Sequence, residues 1–136
     1  MNPAKSIALW LEAQALGSTT ADADTWLIRY GQRVDSTQPM VTVYDTAGNV
    51  PSGEHDGGTT RKPSVQILVS GAKGNVGGEY DRVRTQAEAI YTAASLNTVG
   101  SGDSFLAYPS SEILSLGFDE QGRPEMSLNM NLRVVS

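Results

Sequence analysis

The sequence predicts an α+β domain, in which a mainly antiparallel sheet carries two helices packed on one face. The last strand is the first observation behind this prediction, because apolar residues at every second position from Met126 to Val134 alternate with polar ones. The second observation is a helix near residues 79–94, where apolar side chains recur every three or four positions. These side chains are Tyr80, Val83, Ala87, Ile90 and Ala94.

A first helix is predicted at the N-terminus. Asn2 can cap it, and Pro3 suits the first helical position, where the missing N–H costs nothing. Apolar residues then follow at helical spacing. They are Ile7, Leu11 and Ala15. We expect Gly17 to end the helix.

Five further segments are rich in aliphatic, aromatic and β-branched residues, which predicts the remaining strands. They are residues 25–30, 40–44, 63–70, 104–108 and 112–118. Turn-forming residues dominate segments 97–103 and 119–124. The short connections between the last strands predict a hairpin or a meander.

Residues 45–62 read DTAGNVPSGEHDGGTTRK and contain almost no apolar side chains. Loops of this length are uncommon in compact domains unless they are functional or disordered. We therefore expect one domain spanning residues 1–136, with a long flexible loop at about 45–62.

Composition bounds the function. The 136 residues fit one ordinary domain, and no cysteine is present, which excludes disulfides, zinc–thiolate sites and cysteine nucleophiles. The net charge of −5 disfavours nucleic-acid binding but suits a surface that DNA slides past.

The apolar runs fall far short of the roughly 20 residues of a membrane helix. The N-terminus lacks a secretory signal. We expect a protein made in a cytoplasm, with no membrane partner.

Two segments suggest site chemistry but lack the required pattern. His55 lies between Glu54 and Asp56, yet neighbours in a glycine-rich loop rarely converge on one metal ion or proton. Residues 71–78 follow a predicted strand and open a helix, but their GxxGxxGG spacing matches neither GxGxxG nor GxxxxGK[ST]. We expect no cofactor, no metal and no enzymatic activity, and nucleotide binding stays a distant alternative.

Three motifs follow one another along most of the chain. Residues 43–48 read VYDTAG, residues 63–67 read PSVQI, and residues 116–129 read LGFDEQGRPEMSLN. In order and spacing they resemble the small minor capsid or tail-terminator proteins of long-tailed phages. Ala47 departs from the family pattern, which has glycine there.

The resemblance implies a tail-terminator-like fold and a structural role at the head–tail neck of a virion. Such proteins form a six-membered ring that caps the tail tube and docks head-completion proteins, while genomic double-stranded DNA passes through the lumen. The partners implied are further copies of the chain, the tail tube protein and a head-completion or connector protein. The alternative is another neck or tail protein: a head-completion protein, a connector or a tube subunit. Stacking distinguishes a tube protein, which polymerises without end, from a terminator, which stops at one ring.

Within the 45–62 segment, four charged residues are candidates for the subunit interface. Glu54 and Asp56 form its acidic middle, and Arg61 and Lys62 its cationic end. Head-to-tail packing of identical subunits could pair the two sets across a ring interface.

Overall fold

The computed structural model describes residues 2–20, 26–32, 38–52, 60–72 and 78–135, with the backbone alone described for residues 47–52 and 60–62. Within these described ranges, two helices and seven strands follow one another. They are α1 (Pro3–Ala13), β1 (Leu27–Tyr30), β2 (Met40–Ser52), β3 (Thr60–Ser70), α2 (Glu79–Ala94), β4 (Thr98–Val99), β5 (Phe105–Pro109), β6 (Leu114–Phe118) and β7 (Pro124–Val134).

All seven strands belong to one sheet, in the order β1-β2-β3-β7-β5-β4. β6 also pairs with β7, so β5 and β6 follow one another along the same edge of that strand. Among the strand pairs that the structure describes, only β1–β2 is parallel. The predicted α+β class with a mainly antiparallel sheet is confirmed.

The core lies between the sheet and both helices. Cross-strand register puts Val43, Ile67 and Leu128 in one row, and Val41, Val69 and Met126 in the next. These side chains share one cluster with the apolar faces of the two helices. The helical members are Ala4, Ile7, Ala8 and Leu11 from α1, and Val83, Ala87, Ile90 and Ala94 from α2. Both helices therefore cover the same face, as the periodicity of two in the strands requires.

Helix α1 begins as predicted. The Asn2 side chain accepts a hydrogen bond from the backbone N–H of Lys5 at 3.1 Å, and Pro3 occupies the first turn. Asp45 on β2 accepts from the N–H of Ala4, also at 3.1 Å. Two N–H groups of the first turn, which have no partner inside the helix, are thus satisfied by side chains.

The end of α1 differs from the prediction. The helix stops at Ala13, and Ala15 adopts the left-handed conformation with φ 60°. The N–H of Leu16 bonds to the carbonyl of Leu11, and that of Ala15 to the carbonyl of Glu12. This is a Schellman motif, so the turn that ends the helix precedes Gly17.

Two further segments differ from expectation. Thr98–Val99, inside a predicted turn, pairs with β5 as the short strand β4. Much of residues 45–62, predicted as a loop, is strand: β2 continues to Ser52 and β3 starts at Thr60. A ribbon beyond the sheet has no core to face, so its sequence lacks the apolar alternation that marks a strand.

Neither helix in the described chain is both long and apolar enough to cross a membrane.

Candidate assembly surface

Strand β6 exposes its large apolar side chains to solvent. Leu114, Leu116 and Phe118 are 46%, 52% and 54% exposed, although each belongs to a paired strand. Most residues of this kind in the other strands are buried in the core. Contiguous exposed apolar surface on a soluble protein commonly marks a site of interaction.

Tyr80, in the first turn of α2, extends this surface. Its ring lies 6.4 Å from the ring of Phe118, and its hydroxyl lies 3.4 Å from the Ser115 hydroxyl. Tyr80 is itself 41% exposed. We call the four side chains Leu114, Leu116, Phe118 and Tyr80 the β6 patch. They comprise half of the eight exposed large apolar side chains among the described residues.

A bulge gives β6 its shape. Ser115 pairs with Met126 and Gly117 with Glu125, so β6 has one residue more than β7 between these pairs, and Leu116 is the extra one. Gly117 has φ 82°, a conformation that costs glycine little and other residues more. Such a bulge bends the strand and re-aims its side chains.

The sheet edges at β1 and β6 differ in whether their outer backbone groups are covered. Ser18 covers β1 by bonding to the carbonyl of Trp26 and the N–H of Ile28, both at 2.8 Å. The Arg29 guanidinium bonds to the Ile28 carbonyl at 3.0 Å and to the Thr19 carbonyl at 2.6 Å. The outer side of β6, by contrast, pairs with no strand that the structure describes. An open, apolar edge is a template for strand addition.

The turn after β6 is fixed by one carboxylate. Asp119 accepts hydrogen bonds from the N–H groups of Gln121 at 2.8 Å and Arg123 at 2.9 Å, and its second oxygen lies 3.2 Å from the Arg123 guanidinium. Arg123 is buried. Charge-assisted bonds of this type are stronger than neutral ones, so they hold β6 firmly against β7.

Acidic residues border the β6 patch. Asp81 follows Tyr80 on α2, Glu112 precedes β6, and Glu120 follows it; all three are exposed. The one basic residue of the adjoining turn, Arg123, is engaged with Asp119. Arg84, one turn after Tyr80 on α2, is paired with Glu88. Asp81, Glu112 and Glu120 therefore leave an excess of negative charge around the patch.

On the β2–β3 hairpin, the described backbone continues beyond the rest of the sheet. β1 pairs with β2 only as far as Val43, and β7 pairs with β3 only from Ser64 onward. Asn49 and Ser52 pair with Lys62 and Thr60 farther out. We call residues 49–52 and 60–62 the arm.

The structure describes the backbone of two of the four predicted interface residues and does not describe the other two. Arg61 and Lys62 lie on the arm, at the start of β3, where the backbone alone is described. Glu54 and Asp56, together with His55, lie outside the described residues. Their pairing across an interface stays a prediction.

No group of three or more potential metal ligands occurs among the residues described. In the glycine-rich segment 71–78, the distant alternative for nucleotide binding, Gly71 packs so closely that an added Cβ would lie 2.7 Å from the Glu79 side chain and 2.9 Å from Pro124. Its N–H donates to the Pro124 carbonyl at 2.9 Å. This glycine serves the packing of α2 against β7, and residues 73–77 lie outside the description.

A family model described as "Bacteriophage tail terminator protein" matches residues 11–136, nearly the whole chain. The chain belongs to the bacteriophage tail terminator family. The resemblance inferred from the three sequence motifs is thereby confirmed.

A solved structure shares the fold of this tail terminator family member. It belongs to the "Virion of native gene transfer agent (GTA) particle", with a TM-score of 0.66 and 13% sequence identity. The similarity covers 98% of this chain and 94% of the other. No curated protein matches the chain. Family and fold together identify a structural protein of a phage-like virion.

Sequence reasoning predicted strand β6 but missed the β6 patch. The run Leu-Ser-Leu-Gly-Phe alternates like a strand with one buried face. Gly117 inside it was the available signal, because an isolated glycine in a strand suggests a bulge.

Proposed function

We propose that the chain is the tail terminator at the head–tail neck, where copies of it, six by analogy with the family, form a ring that caps the tail tube. The ring docks head-completion proteins and lets double-stranded DNA pass through its lumen. The family match over residues 11–136 carries this proposal. The role is structural and involves no catalysis, and assembly takes place in the host cytoplasm.

The charge of the chain supports the passage of DNA. Protein–DNA affinity comes largely from Lys and Arg that neutralise phosphates, and this chain carries a net charge of −5. A ring of such subunits offers a lumen with little affinity for the DNA backbone.

The arm supports a role in contacts between subunits or with the tube. An isolated two-stranded ribbon is marginally stable in water, so a neighbour would add to its stability. The charges at Glu54, Asp56, Arg61 and Lys62 would orient such a contact, because exposed ion pairs contribute only about 0–1 kcal/mol each.

Native mass spectrometry with light scattering over a concentration series tests the proposal. A discrete ring, formed by the chain alone or on purified tail tubes, is the expected result. Open-ended polymers would indicate a tube subunit instead, and binding to isolated heads without binding to tubes would indicate a head-completion or connector protein. A chain that stays monomeric and ignores both would contradict any neck function.

A further inference from the structure

We propose that the β6 patch is the docking site for a second copy of this chain, and that the arm of that copy lies along the open side of β6 as an added strand. The inference rests on the proposed ring function, because it names the two surfaces that would meet in the ring.

Backbone hydrogen bonding is the first argument. The outer side of β6 pairs with no described strand, and both outer sides of the arm extend past β1 and β7. Strand addition satisfies such groups on both partners at once and supplies affinity through main-chain bonds. The β1 side of the sheet is closed by Ser18 and Arg29, and the edge strand β4 has only two residues, so β6 is the longest open edge that the structure describes.

Apolar burial is the second argument. The four side chains of the β6 patch are each more than 40% exposed. The Tyr80 and Phe118 rings lie 6.4 Å apart on the helix side of the sheet, while Leu114, opposite Ser127, projects from the other side of the same strand. Covering the four side chains removes apolar surface from water, which is the main driving force of association.

Charge is the third argument, and it favours the arm over a second β6 strand as the segment that binds the β6 patch. The border of the patch is acidic, with Asp81, Glu112 and Glu120, whereas the arm carries the consecutive cations Arg61 and Lys62. A two-fold contact between two β6 strands would bring the acidic borders together. Contact between β6 and the arm joins opposite charges, and it is heterologous, which is the kind of contact that closes rings.

A charge exchange on the full chain tests this arrangement. Leu116→Lys places a cation in the β6 patch, facing the cations of the incoming arm. Arg61→Glu with Lys62→Glu places anions on the arm, facing the acidic border. We expect each change to raise the concentration needed for ring formation at least tenfold, alone or on tail tubes. The three changes together should restore assembly toward that of the wild type.

Leu96→Lys is the matched control. Leu96 is also an exposed apolar side chain, 67% exposed, but it follows α2 at the opposite end from Tyr80. Its replacement should leave the ring intact. Circular dichroism and a melting temperature within about 3 °C of the wild type would show that each monomer is folded, as expected for exposed positions.

Other results separate the possible failures. A ring that survives Leu116→Lys would overturn the β6 docking site while leaving the proposed function standing. Loss of the ring in both variants without rescue in the combined chain would overturn the arm as the occupant. A wild-type chain that forms no ring, alone or on tubes, would contradict the proposed function and this inference together.

Discussion

At the residue scale, Ser6 connects the first helix to the loop that precedes β5. Its hydroxyl lies 3.0 Å from the Ser101 carbonyl and 2.9 Å from the Asp103 carbonyl, and it accepts from the Ser101 N–H at 2.9 Å. Ser6 is buried, and Gly100 approaches so closely that an added Cβ would lie 2.8 Å from its hydroxyl. One side chain thus joins segments that are 95 residues apart in the sequence.

Ser6→Ala is therefore expected to lower the free energy of unfolding by about 1 kcal/mol, because a buried hydroxyl loses its bonds to the 101–103 backbone. Chemical denaturation measures the change. Ser111→Ala removes an exposed hydroxyl and should change stability by no more than about 0.5 kcal/mol. Equal effects of the two variants would show that the Ser6 bonds contribute nothing specific.

Glu12 links α1 to the segment before β1. Its carboxylate accepts from the backbone N–H of Thr19 at 2.6 Å and from the Thr19 hydroxyl at 2.9 Å. These bonds, the backbone one first, lower the pKa of the Glu12 carboxyl below its ordinary value. A lowered pKa in the folded state stabilises the fold above the unfolded pKa, and this stabilisation is lost as the pH falls through the folded pKa.

Glu12→Gln should consequently melt at a lower temperature than the wild type at pH 7. The difference should shrink as the pH falls below the ordinary glutamate pKa of about 4.3. Thermal melts at a series of pH values measure it. Thr19→Val keeps the backbone donor, so it should retain most of the pH dependence. A difference between wild type and Glu12→Gln that is constant from pH 7 to pH 3 would contradict this role.

At the element scale, β6 is shaped by its bulge and by the turn that follows it. Gly117 supplies the positive φ, and the Asp119 carboxylate holds the turn into β7. The bulge shifts the alternation by one residue, so Leu114 lies opposite Ser127 on one face of the sheet and Phe118 lies opposite Pro124 on the other. The bulge thus sets where these side chains project, and they stay exposed because no described element covers them.

Gly117→Ala should lower the free energy of unfolding by about 1–2 kcal/mol, the cost of a left-handed conformation for alanine. The added Cβ meets nothing within 4 Å, so this cost is purely conformational. Gly102→Ala is a matched control, because Gly102 has φ 86° and an equally open surrounding. Denaturation should report similar losses for both variants, while light scattering should report impaired ring assembly for Gly117→Ala alone. Impaired assembly in both would show that stability, not the bulge, is the cause.

At the scale of the whole molecule, folding and assembly draw on separate parts of the chain. The described core joins both helices to one face of the sheet, and all its members lie outside residues 48–60. The β6 patch lies on the other side of β7 from β3, and the arm lies at the far end of the β2–β3 hairpin. Changes to the assembly surfaces should therefore leave the monomer intact.

Replacing residues 48–60 with an Asn-Gly turn should give a folded monomer that melts close to the wild type, since β3 keeps its pairing with β7 from Ser64 onward. The same variant should lose the ring. Circular dichroism reports the fold and native mass spectrometry the assembly. A variant that cannot fold would show that the hairpin end is part of the folding unit, and one that still forms rings would exclude the arm from assembly.

The sequence by itself determined the elements whose patterns repeat. The alternation from Met126 to Val134 and the spacing from Tyr80 to Ala94 predicted β7 and α2, because side-chain direction follows from the backbone period alone. The Asn2 cap was predictable because it bonds to a residue three positions away, and the turn around Gly122 likewise depends on neighbours in the sequence. Order and spacing of short motifs were enough to predict the family.

Only the tertiary structure decided which apolar strand residues are buried. Leu114, Leu116 and Phe118 alternate in sequence much as Met126, Leu128 and Met130 do, yet the first three are exposed and the second three are core. The pattern of a strand gives its two faces, while burial depends on which elements pack against them. The helices cover β7, and no described element covers β6 in the same way. The surface proposed for assembly therefore arises from the packing of distant segments, which local sequence patterns do not encode.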